Sequence, residues 1–359
     1  MELVPGLPND IARECLVRVP YNDFSSIAST CKDWKIEIHL PEFFRRRRAA
    51  GFSKHVMVMT QSRVDPDRDS GLKCQAVPVY RMVVFDPHTG YWCELPPVPG
   101  CSDGLPVFCQ VVGVGLNVVV MGGLDPDTFD VRNEVYVYNF LSATWRRGAD
   151  MPGVKRVFFG CASDSDRMVF VAGGHDGEKN ALRSAMAYDV NTNKWVQLPD
   201  MERERDECKG MFHLGNFHVI GGYCTDRQGE FESSAELFDV ATWQWSPVQE
   251  NLLLHGTCPN TCAMADGALY ACEGGDVAKL EADTWKPVAE LPIEICNTAL
   301  VATWEDKLLV IGSPNFGEPH IAYALNLQNY TWTRMKPTDE YSGHVQSGCY
   351  FSIINEFGH

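Results

Sequence analysis

The stretch FHVIGGYCTDRQGEFESSAELFDVATWQWSPV, residues 217–248, decides the fold. It contains an apolar run that ends at Gly221-Gly222, a polar loop, a second apolar run at 235–240, and a turn that leads to Trp245. Short β-rich runs between turn residues predict antiparallel strands, and paired glycines let the backbone turn where a side chain would clash. One such set of strands cannot bury both of its faces, so the unit should recur along the chain.

The unit recurs six times with a period near 50 residues. Its tryptophans, spaced 53, 50, 50, 40 and 47 residues apart, are Trp92, Trp145, Trp195, Trp245, Trp285 and Trp332. Its glycine pairs are Gly122-Gly123, Gly173-Gly174, Gly221-Gly222 and Gly274-Gly275, with Gly312-Ser313 as an altered copy. A period of this length with this internal order is typical of propeller blades. We therefore predict an all-β, six-bladed β-propeller.

The two ends of the repeat region predict how the ring closes. The first unit has no strand ahead of residue 54 that could take the innermost position, whereas a spare apolar run at 349–354 follows the last unit. We predict that this C-terminal run pairs inside the blade that holds Trp92, because closure removes the last unpaired sheet edge. The fifth unit has only ten residues from Gly275 to Trp285, so its middle loop should be minimal.

Composition and charge limit the functions open to the chain. The 359 residues carry a formal net charge of −16, which argues against a nucleic-acid partner because such proteins concentrate Lys and Arg. Residues 1–50 hold eight Lys and Arg against seven Asp and Glu, a net charge of +1, so the remainder carries −17. This negative charge favours a partner with a basic surface. The alternative is that the charge only keeps the protein soluble. No apolar run reaches the roughly 20 residues of a spanning helix, so we expect no membrane partner.

Neither the cysteines nor the catalytic motifs indicate a cofactor or a metal. The 14 cysteines are scattered without a CxxC pair, as is typical of small buried hydrophobic residues. The tightest group, His255, Cys258 and Cys262, has no fourth zinc ligand near it in the sequence. No GxSxG, phosphate-loop or HExxH motif is found, so we predict a non-catalytic protein without a cofactor.

The first 51 residues have a helical pattern and form the first of two predicted domains, 1–51 and 52–359. We predict three helices, which begin at Asn9 or Asp10, after Asp23, and near Phe43. The second is predicted to be continuous through Cys31 to Ile38. Helices this short bury little apolar surface, so we expect a domain with its own small core that gains stability from a partner.

The sequence of this domain resembles an F-box, in the stretch LPNDIARECLVRVP followed by SIASTCKDWKIEI. It has the Leu-Pro opening, an Asp two residues after the Pro, an apolar helix that ends in Arg-Val-Pro, and a Cys-Lys-x-Trp ending. The resemblance implies docking onto a Skp-family adaptor, which joins the chain to a cullin scaffold and a ubiquitin-charged conjugating enzyme. The docking residues that it implies are Leu7, Pro8, Ile11, Leu16, Val19, Pro20 and Trp34.

The repeats, such as VVVMGG, VYVYNF and TWRR in the second unit, resemble the kelch repeat. Three functions then remain open. The first is a substrate receptor of an SCF-type (Skp-cullin-F-box) ubiquitin ligase, and the second is a non-degradative F-box scaffold. The remote third is a kelch-type copper oxidase, although the ten dispersed His provide no paired His and Tyr ligands.

Along nearly the whole chain, stretches such as LPNDIARECL, FFGCASDSDRMVFVAGGHDGEKNA and LPDMERERDEC resemble the plant F-box/kelch-repeat proteins. This resemblance implies phenylalanine ammonia-lyase, the entry enzyme of phenylpropanoid synthesis, as a protein substrate for ubiquitination and proteasomal degradation. A type-B response regulator of cytokinin signalling is the alternative substrate.

Strand parity predicts where a substrate binds. In a four-stranded antiparallel blade, the loop between the second and third strands lies on the same face as the linker to the next blade. These segments hold most of the exposed arginines and aromatics, which dominate interface energetics, although ordinary solvated loop residues are the alternative. The predicted substrate contacts are Arg132, Arg156, His175, Lys179, Arg183, Arg203, Arg205, Tyr223, Arg227 and Phe316. Arg156, Arg203 and Arg205 lead this set because neighbouring linkers could bring them together near the axis.

Four consecutive arginines at 45–48 leave two interpretations open, a nuclear-localisation patch and a solvated helix face. The N-terminus MELVPGLPND has no basic region followed by an apolar segment, as a secretion signal would. We therefore expect the protein in the cytoplasm, and also in the nucleus if the basic run acts as a signal.

Overall fold

The computed structural model describes residues 2–19, 23–38, 40–52, 54–64, 78–101, 104–335 and 338–353. Four short helices precede six four-stranded antiparallel sheets. The helices are α1 (Asn9–Val17), α2 (Phe24–Thr30), α3 (Lys32–Glu37) and α4 (Pro41–Ala49).

The strands of the first half are β1 (Lys54–Ser62), β2 (Tyr80–Asp86), β3 (Tyr91–Glu94), β4 (Gln110–Val114), β5 (Asn117–Met121), β6 (Val135–Asn139), β7 (Thr144–Arg147), β8 (Gly160–Ser163), β9 (Met168–Ala172), β10 (Ala185–Asp189), β11 (Lys194–Gln197) and β12 (Lys209–His213). Those of the second half are β13 (Asn216–Ile220), β14 (Ala235–Asp239), β15 (Gln244–Trp245), β16 (Cys262–Ala265), β17 (Ala268–Glu273), β18 (Asp276–Glu281), β19 (Thr284–Glu290), β20 (Asn297–Trp304), β21 (Lys307–Ser313), β22 (Ile321–Asn326), β23 (Trp332–Met335) and β24 (Val345–Ile353). Blade 1 contains β24, β1, β2 and β3 from the centre outwards, and blades 2 to 6 take β4 to β23 four at a time. The protein is thus a six-bladed β-propeller preceded by helices.

The repeat tryptophans join each blade to the linker that precedes it. In blades 2 to 6, the indole Nε1 of the repeat Trp donates to a backbone carbonyl of that linker, or of the strand residue just ahead of it, over 2.7 to 3.0 Å. The donors are Trp145, Trp195, Trp245, Trp285 and Trp332, and the carbonyls belong to Pro96, Ala149, Pro199, Leu252 and Glu290. These five tryptophans are thus structural contacts between neighbouring blades.

The glycine pairs place the loop after the second strand against the preceding linker. Gly173 and Gly174 have φ of 70° and 81°, and a Cβ on Gly174 would lie 2.4 Å from the carbonyl oxygen of Val157. This close approach allows His175 and Val157 to exchange two backbone hydrogen bonds of 3.0 and 3.1 Å. In blade 5 the pair forms the entire loop, because β17 ends at Glu273 and β18 begins at Asp276, as predicted.

The C-terminal strand completes blade 1. β24 pairs antiparallel with β1 from Lys54↔Ile353 to Gln61↔Val345 and takes the innermost position, consistent with the predicted closure. The strand begins earlier than the predicted run at 349–354, whose last residue lies outside the described residues. The innermost strands of all six blades then surround a central channel of about 670 Å³.

The N-terminal helices number four instead of the predicted three, because the second predicted helix is broken at Cys31. This residue is extended, with φ −157° and ψ 162°, and its Sγ accepts a hydrogen bond from the backbone N–H of Trp34 at the start of α3. The hydroxyls of Ser29 and Thr30 donate to the carbonyl oxygen of Ser26 over 2.7 and 2.9 Å. Such side-chain bonds offer the backbone an alternative to a continued helix.

A pair of histidines lies beside the closure strand. The ring nitrogen Nδ1 of His320 accepts from the backbone N–H of Val345 over 3.1 Å, and the His320 and His344 rings lie 4.6 Å apart. Tyr80 Oη lies 3.0 Å from His344 Nδ1. Burial, followed by the neighbouring His344, lowers the pKa of His320 to about 4.

We predict that the lowered pKa of His320 makes the ring less stable as the pH falls from 7 to 5. An unfolded His has a pKa of about 6.5, so the unfolded chain binds this proton at a higher pH than the folded chain does. Between pH 7 and 5 this lowers the free energy of unfolding by about 2 kcal/mol. Urea unfolding at both pH values should show the loss, and a His320→Gln chain should show a smaller one. An equal pH dependence in both chains would contradict this assignment.

We predict that a chain ending at Pro337, a residue outside the described ones, melts at a lower temperature and is digested faster than the full chain. Without β24, the innermost edges of β1, β4 and β20 lose their neighbour. A chain ending at Ile353, which keeps β24, is the matched control. Equal melting temperatures for the two truncated chains would show that closure does not stabilise the ring.

Candidate functional site

The ring has two faces of different construction. One face, which we call the loop face, carries the loops between second and third strands together with the linkers between blades. Backbone bridges join these two kinds of segment in three successive blades, at Val107–Leu124, Val157–His175 and Asp206–Tyr223. The predicted strand parity is therefore confirmed for these blades. The opposite face, which we call the turn face, carries the short turns that join first to second and third to fourth strands.

The N-terminal helices pack on the turn face at blades 2 and 3. Leu116 in the turn after β4 and Leu141 in the turn after β6 belong to the apolar cluster formed by the helices. The helical domain contributes Leu16, Val17, Ile27, Ile38 and Phe43 to this cluster. Arg45 Nη1 also lies 2.9 Å from Oδ2 of Asp166 in the turn after β8. The expectation that each domain buries a separate core is wrong here, because the helical core includes ring residues.

Three of the predicted docking residues are exposed at the start of α1. Leu7 is 38% exposed and Ile11 is 47% exposed, and Pro8 between them is also exposed. Cys15, one turn beyond Ile11, is exposed too. Residues four apart lie on the same side of a helix, so this edge presents a row of apolar groups to solvent.

The other predicted docking residues lie deeper. Leu16 is buried in the helical cluster, and Val19 and Trp34 are half-buried beside it. The indole Nε1 of Trp34 donates to the Leu3 carbonyl over 2.5 Å, which fixes the segment ahead of α1. Leu16 and Trp34 therefore support the docking edge from inside, whereas Pro20 lies outside the described residues.

Three arginines of the basic run, Arg45, Arg46 and Arg47, are engaged in structural contacts. Arg47 is buried, and its Nη1 donates to the carbonyls of Val17 and Val19 over 2.5 and 2.8 Å. Burial lowers the pKa of this guanidinium to about 10. Arg45 and Arg46 both pair with Glu42. The nuclear location stays a prediction.

Two of the three leading substrate contacts, Arg156 and Arg205, are buried, so the prediction that they are exposed is wrong. Arg205 donates from Nη1 to the Gly221 carbonyl over 2.8 Å, from Nη2 to Ser234 Oγ over 2.9 Å, and from Nε to Glu236 Oε1 over 3.0 Å. It joins the linker ahead of blade 4 to the glycine pair and the third strand of that blade. Its charge is neutralised by Glu236, which is buried as well.

Arg156 repeats this arrangement in blade 3. Its Nη1 donates to the Gly173 and Ser184 carbonyls, each over 3.0 Å, and its Nη2 donates to Ser184 Oγ over 2.7 Å. Blade 3 has Met186 in the strand position where blade 4 has Glu236. Burial lowers the pKa of the Arg156 guanidinium to about 10. Both arginines hold the loop face together and are not available to a partner.

Two further predicted contacts are also largely withdrawn from solvent. Tyr223 is buried, and its Oη donates to Glu207 Oε1 over 2.8 Å. His175 Nδ1 lies 2.8 Å from Asp206 Oδ2, and its ring packs against Phe158 with 5.5 Å between centroids. These side chains shape the loop face at blades 3 and 4 but expose little surface.

The remaining predicted contacts reach the surface, and the arginines among them pair with carboxylates of the ring itself. The pairs are Arg132 with Asp125 and Glu134, Arg183 with Asp200, Arg203 with Glu232 and Glu250, and Arg227 with Glu232. Lys179 and Phe316 are exposed. A partner that binds these arginines by charge has to displace an existing ion pair, which makes them weaker anchors than the sequence suggests.

Sequence reasoning missed the supporting role of Glu236, Ser184 and Ser234. The signal was present, because Arg156 and Arg205 occupy the same place in consecutive repeats, three residues before the buried Phe159 and the buried Cys208. A residue that recurs at one position of a repeat serves the repeat, whereas a partner contact has no reason to recur.

The described residues include no group of three or more His, Cys, Asp or Glu placed to hold a metal ion. Across the same part of the chain, no helix combines the length and the apolar character needed to cross a membrane.

Comparisons with known proteins agree with this division into helices and ring. The F-box domain model matches residues 4–46, and the Kelch motif model matches residues 156–202. F-box/kelch-repeat protein At1g15670 of Arabidopsis thaliana is 50% identical over 359 residues, which cover 98% of this chain and 100% of that protein. F-box/kelch-repeat protein At1g80440 of the same plant is 48% identical over 360 residues with the same coverage. F-box/kelch-repeat protein At2g44130 is 35% identical over 281 residues, 72% of this chain and 68% of its own length.

An F-box joined to a kelch ring is the organisation of a substrate-recognition subunit, in which the F-box implies a Skp adaptor and the ring implies a protein substrate. Such proteins are typically non-catalytic. With relatives of this identity and coverage, the chain belongs to the F-box/kelch-repeat proteins.

We predict that Arg205→Ala destabilises the ring by about 3–5 kcal/mol, because it leaves Glu236 as an unpaired buried charge. Arg203→Ala is the matched control two residues away, and the loss of its surface pairs should cost less than about 1 kcal/mol. Urea denaturation of both proteins measures the difference. If both variants lose a similar, small amount of unfolding free energy, Arg205 is not a structural anchor and becomes a candidate partner contact again.

Proposed function

We propose that the chain is the substrate-recognition subunit of an SCF-type ubiquitin ligase, with the F-box on a Skp-family adaptor and the kelch ring on a protein substrate. The observation that carries this proposal is the placement of the helices on the turn face, which leaves the described part of the loop face open to a second protein. An adaptor at Leu7, Pro8 and Ile11 and a substrate on the loop face can then bind at the same time. The cullin scaffold joins through the adaptor and brings the charged conjugating enzyme.

The substrate that we propose is phenylalanine ammonia-lyase, whose ubiquitination and proteasomal degradation would control phenylpropanoid synthesis. The support is the resemblance of the whole chain to plant F-box/kelch-repeat proteins, strengthened by relatives about half identical over nearly its full length. A type-B response regulator of cytokinin signalling is the alternative substrate on the same grounds. A non-degradative scaffold is the alternative function, because adaptor and partner binding require the same two faces.

Within the loop face, the side chains that we propose for substrate contact are those that reach the surface. They are Arg132, Lys179, Arg183, Arg203, Arg227 and Phe316. We expect a few of them to dominate, each costing about 2 kcal/mol or more on truncation. We propose a cytoplasmic location, extended to the nucleus if residues 45–48 are read there as a signal.

We predict that Leu7→Ala together with Ile11→Ala abolishes capture of a Skp adaptor without lowering the melting temperature, because both side chains are exposed. Loss of two apolar anchors from the centre of an interface typically weakens binding by tenfold or more. Leu214→Ala, which shortens an exposed Leu in the turn after β12 on the ring, is the control. Undiminished adaptor capture by the double variant would place the docking edge elsewhere on the helices.

We predict that the chain, assembled with a Skp adaptor, a cullin and a conjugating enzyme, transfers ubiquitin to phenylalanine ammonia-lyase. A parallel reaction with a type-B response regulator identifies the alternative substrate. The Leu7→Ala/Ile11→Ala chain should still bind the substrate in a pull-down but should not support transfer. Substrate binding without any transfer by the unaltered complex would favour the scaffold.

A further inference from the structure

The loop face is divided into two halves of different chemistry. In blades 2 to 4, its loops and linkers contain the predicted arginines together with their carboxylate partners. In blades 5 and 6, the segments 273–276, 290–298 and 313–320 contain no Lys or Arg. They contain five carboxylates, Glu273, Asp276, Glu290, Glu294 and Glu318. This half of the face is acidic.

Among the described residues of the loop face, the acidic half also carries the most exposed apolar side chains. Ile293 in the linker between blades 5 and 6 is 91% exposed, and Phe316 in the loop after β21 is 95% exposed. The two segments are joined at their bases, where the Cys296 N–H donates to the Ser313 carbonyl over 3.1 Å. Single exposed apolar residues are ordinary, but two large ones on adjoining segments mark a surface on which a partner gains by covering them.

A recess lies next to Ile293, between the short loop of blade 5 and the linker that follows this blade. In blades 2 to 4, a loop of more than ten residues folds back over the preceding linker and bridges to it. In blade 5, Gly274 and Gly275 alone join the strands and form one wall of the recess. The opposite wall is the linker from Leu291 to Ile293, and the recess has a volume of about 460 Å³. It is large enough for one or two bulky apolar side chains of a partner.

The charges around the recess remain negative after the local contacts are counted. Glu294 accepts from the Tyr323 hydroxyl and lies 3.1 Å from Arg334 Nη2, so its charge is offset. Glu273 accepts from the Thr257 hydroxyl, and Glu318 accepts from the Asn315 amide over 2.9 Å. Both of these donors are neutral, so they orient the carboxylates without cancelling their charge.

We propose that the recess between blades 5 and 6, which Glu273 and Ile293 line, together with the adjoining segments that carry Glu290, Phe316 and Glu318, is the anchor site for a basic segment of a protein substrate. The segment carries bulky apolar side chains that enter the recess and cover Ile293 and Phe316, and it carries Lys or Arg that meet the surrounding carboxylates. The proposal rests on the proposed function and specifies which part of the loop face binds the substrate. The anchor then lies away from Arg132, Arg183 and Arg227, whose charges are already paired.

The physical basis is the combination of burial and charge. Covering two exposed apolar side chains supplies affinity, and such central anchors typically contribute the largest truncation effects in an interface. The carboxylates contribute orientation and a faster encounter, which depend on ionic strength. Binding at this site should therefore weaken with added salt but should not vanish, because the apolar part is insensitive to screening.

The test uses the full chain bound to a Skp adaptor and two fluorescein-labelled peptides. The first has a Leu-Phe pair flanked on both sides by Lys and Arg, and the second has the same pair flanked by Asp and Glu. Fluorescence anisotropy should show binding of the basic peptide at least tenfold tighter than of the acidic peptide. Ile293→Ser with Phe316→Ser should weaken the basic peptide tenfold or more, and Glu290→Gln with Glu318→Gln should weaken it severalfold and reduce its salt dependence.

Matched controls lie on the turn face. Leu214→Ser removes an apolar side chain that is 84% exposed, and Asp283→Asn removes an exposed carboxylate from the turn after β18. Neither should change peptide affinity, and all variants should keep the melting temperature of the unaltered chain. Equal affinity for both peptides would overturn the proposal. So would an equal loss of peptide affinity from the substitutions on the loop face and those on the turn face.

A second copy of the chain is the other candidate occupant. If Ile293→Ser with Phe316→Ser converts a dimer into a monomer in sedimentation velocity experiments, the surface is a self-contact and the proposal is wrong. The peptide measurement does not depend on ubiquitin transfer. A ligase that fails to modify phenylalanine ammonia-lyase but binds the basic peptide at this recess would therefore refute the named substrate and leave the anchor site standing.

Discussion

A four-stranded blade has two apolar faces, and only a neighbour on each side can cover both of them. Every other feature of the ring follows from this requirement. The repeat tryptophans bond the linker that brings in the adjoining blade, and the glycine pairs let that linker pass close to the next loop. The pairing of β24 with β1 ends the series by giving blade 1 its innermost strand. The loops are free to vary because none of them is needed to cover the sheets.

The same requirement separates the two binding tasks of the molecule. The turn face has short connections, so it offers a flat support on which the F-box helices share a core with Leu116 and Leu141. The loop face has longer connections, and blades 3 and 4 stabilise theirs with buried arginines. Blade 5 lacks a long loop and leaves a recess. Variation in loop length between repeats, rather than any departure from the blade pattern, thus distinguishes one sector of the face from another.

Much of the fold could be predicted from the sequence because its signals are local and repeated. The spacing of Trp and Gly-Gly predicted six blades and a minimal loop at Gly274-Gly275, and the missing first strand with the spare apolar run at 349–354 predicted the use of the C-terminal run in blade 1. The break between α2 and α3 was missed because apolar spacing continues across Cys31 while the hydroxyls of Ser29 and Thr30 interrupt the helix.

The site was harder to predict, because side-chain exposure depends on contacts between distant repeats. Arg205 looks like a surface residue in LPDMERERDEC, yet its partner Glu236 is 31 residues away. Ile293 was not predicted as a partner contact, because an apolar residue in a short linker is expected to be buried in the core. Leu7 and Ile11 were identified because the F-box motif specifies their positions, and the structure adds that these side chains are exposed while Leu16 is not.

The closure of blade 1 also determines when during synthesis the ring can form. Thr60 and Ser347 exchange hydrogen bonds although they are 287 residues apart, so β1 leaves the ribosome long before its partner β24. Until then, the nascent chain holds five whole blades and one incomplete blade, with an apolar strand edge that invites mispairing. The F-box helices emerge before the ring, so an adaptor can bind a chain whose ring is still open. A message that is cut short anywhere between β1 and β24 therefore yields an open ring.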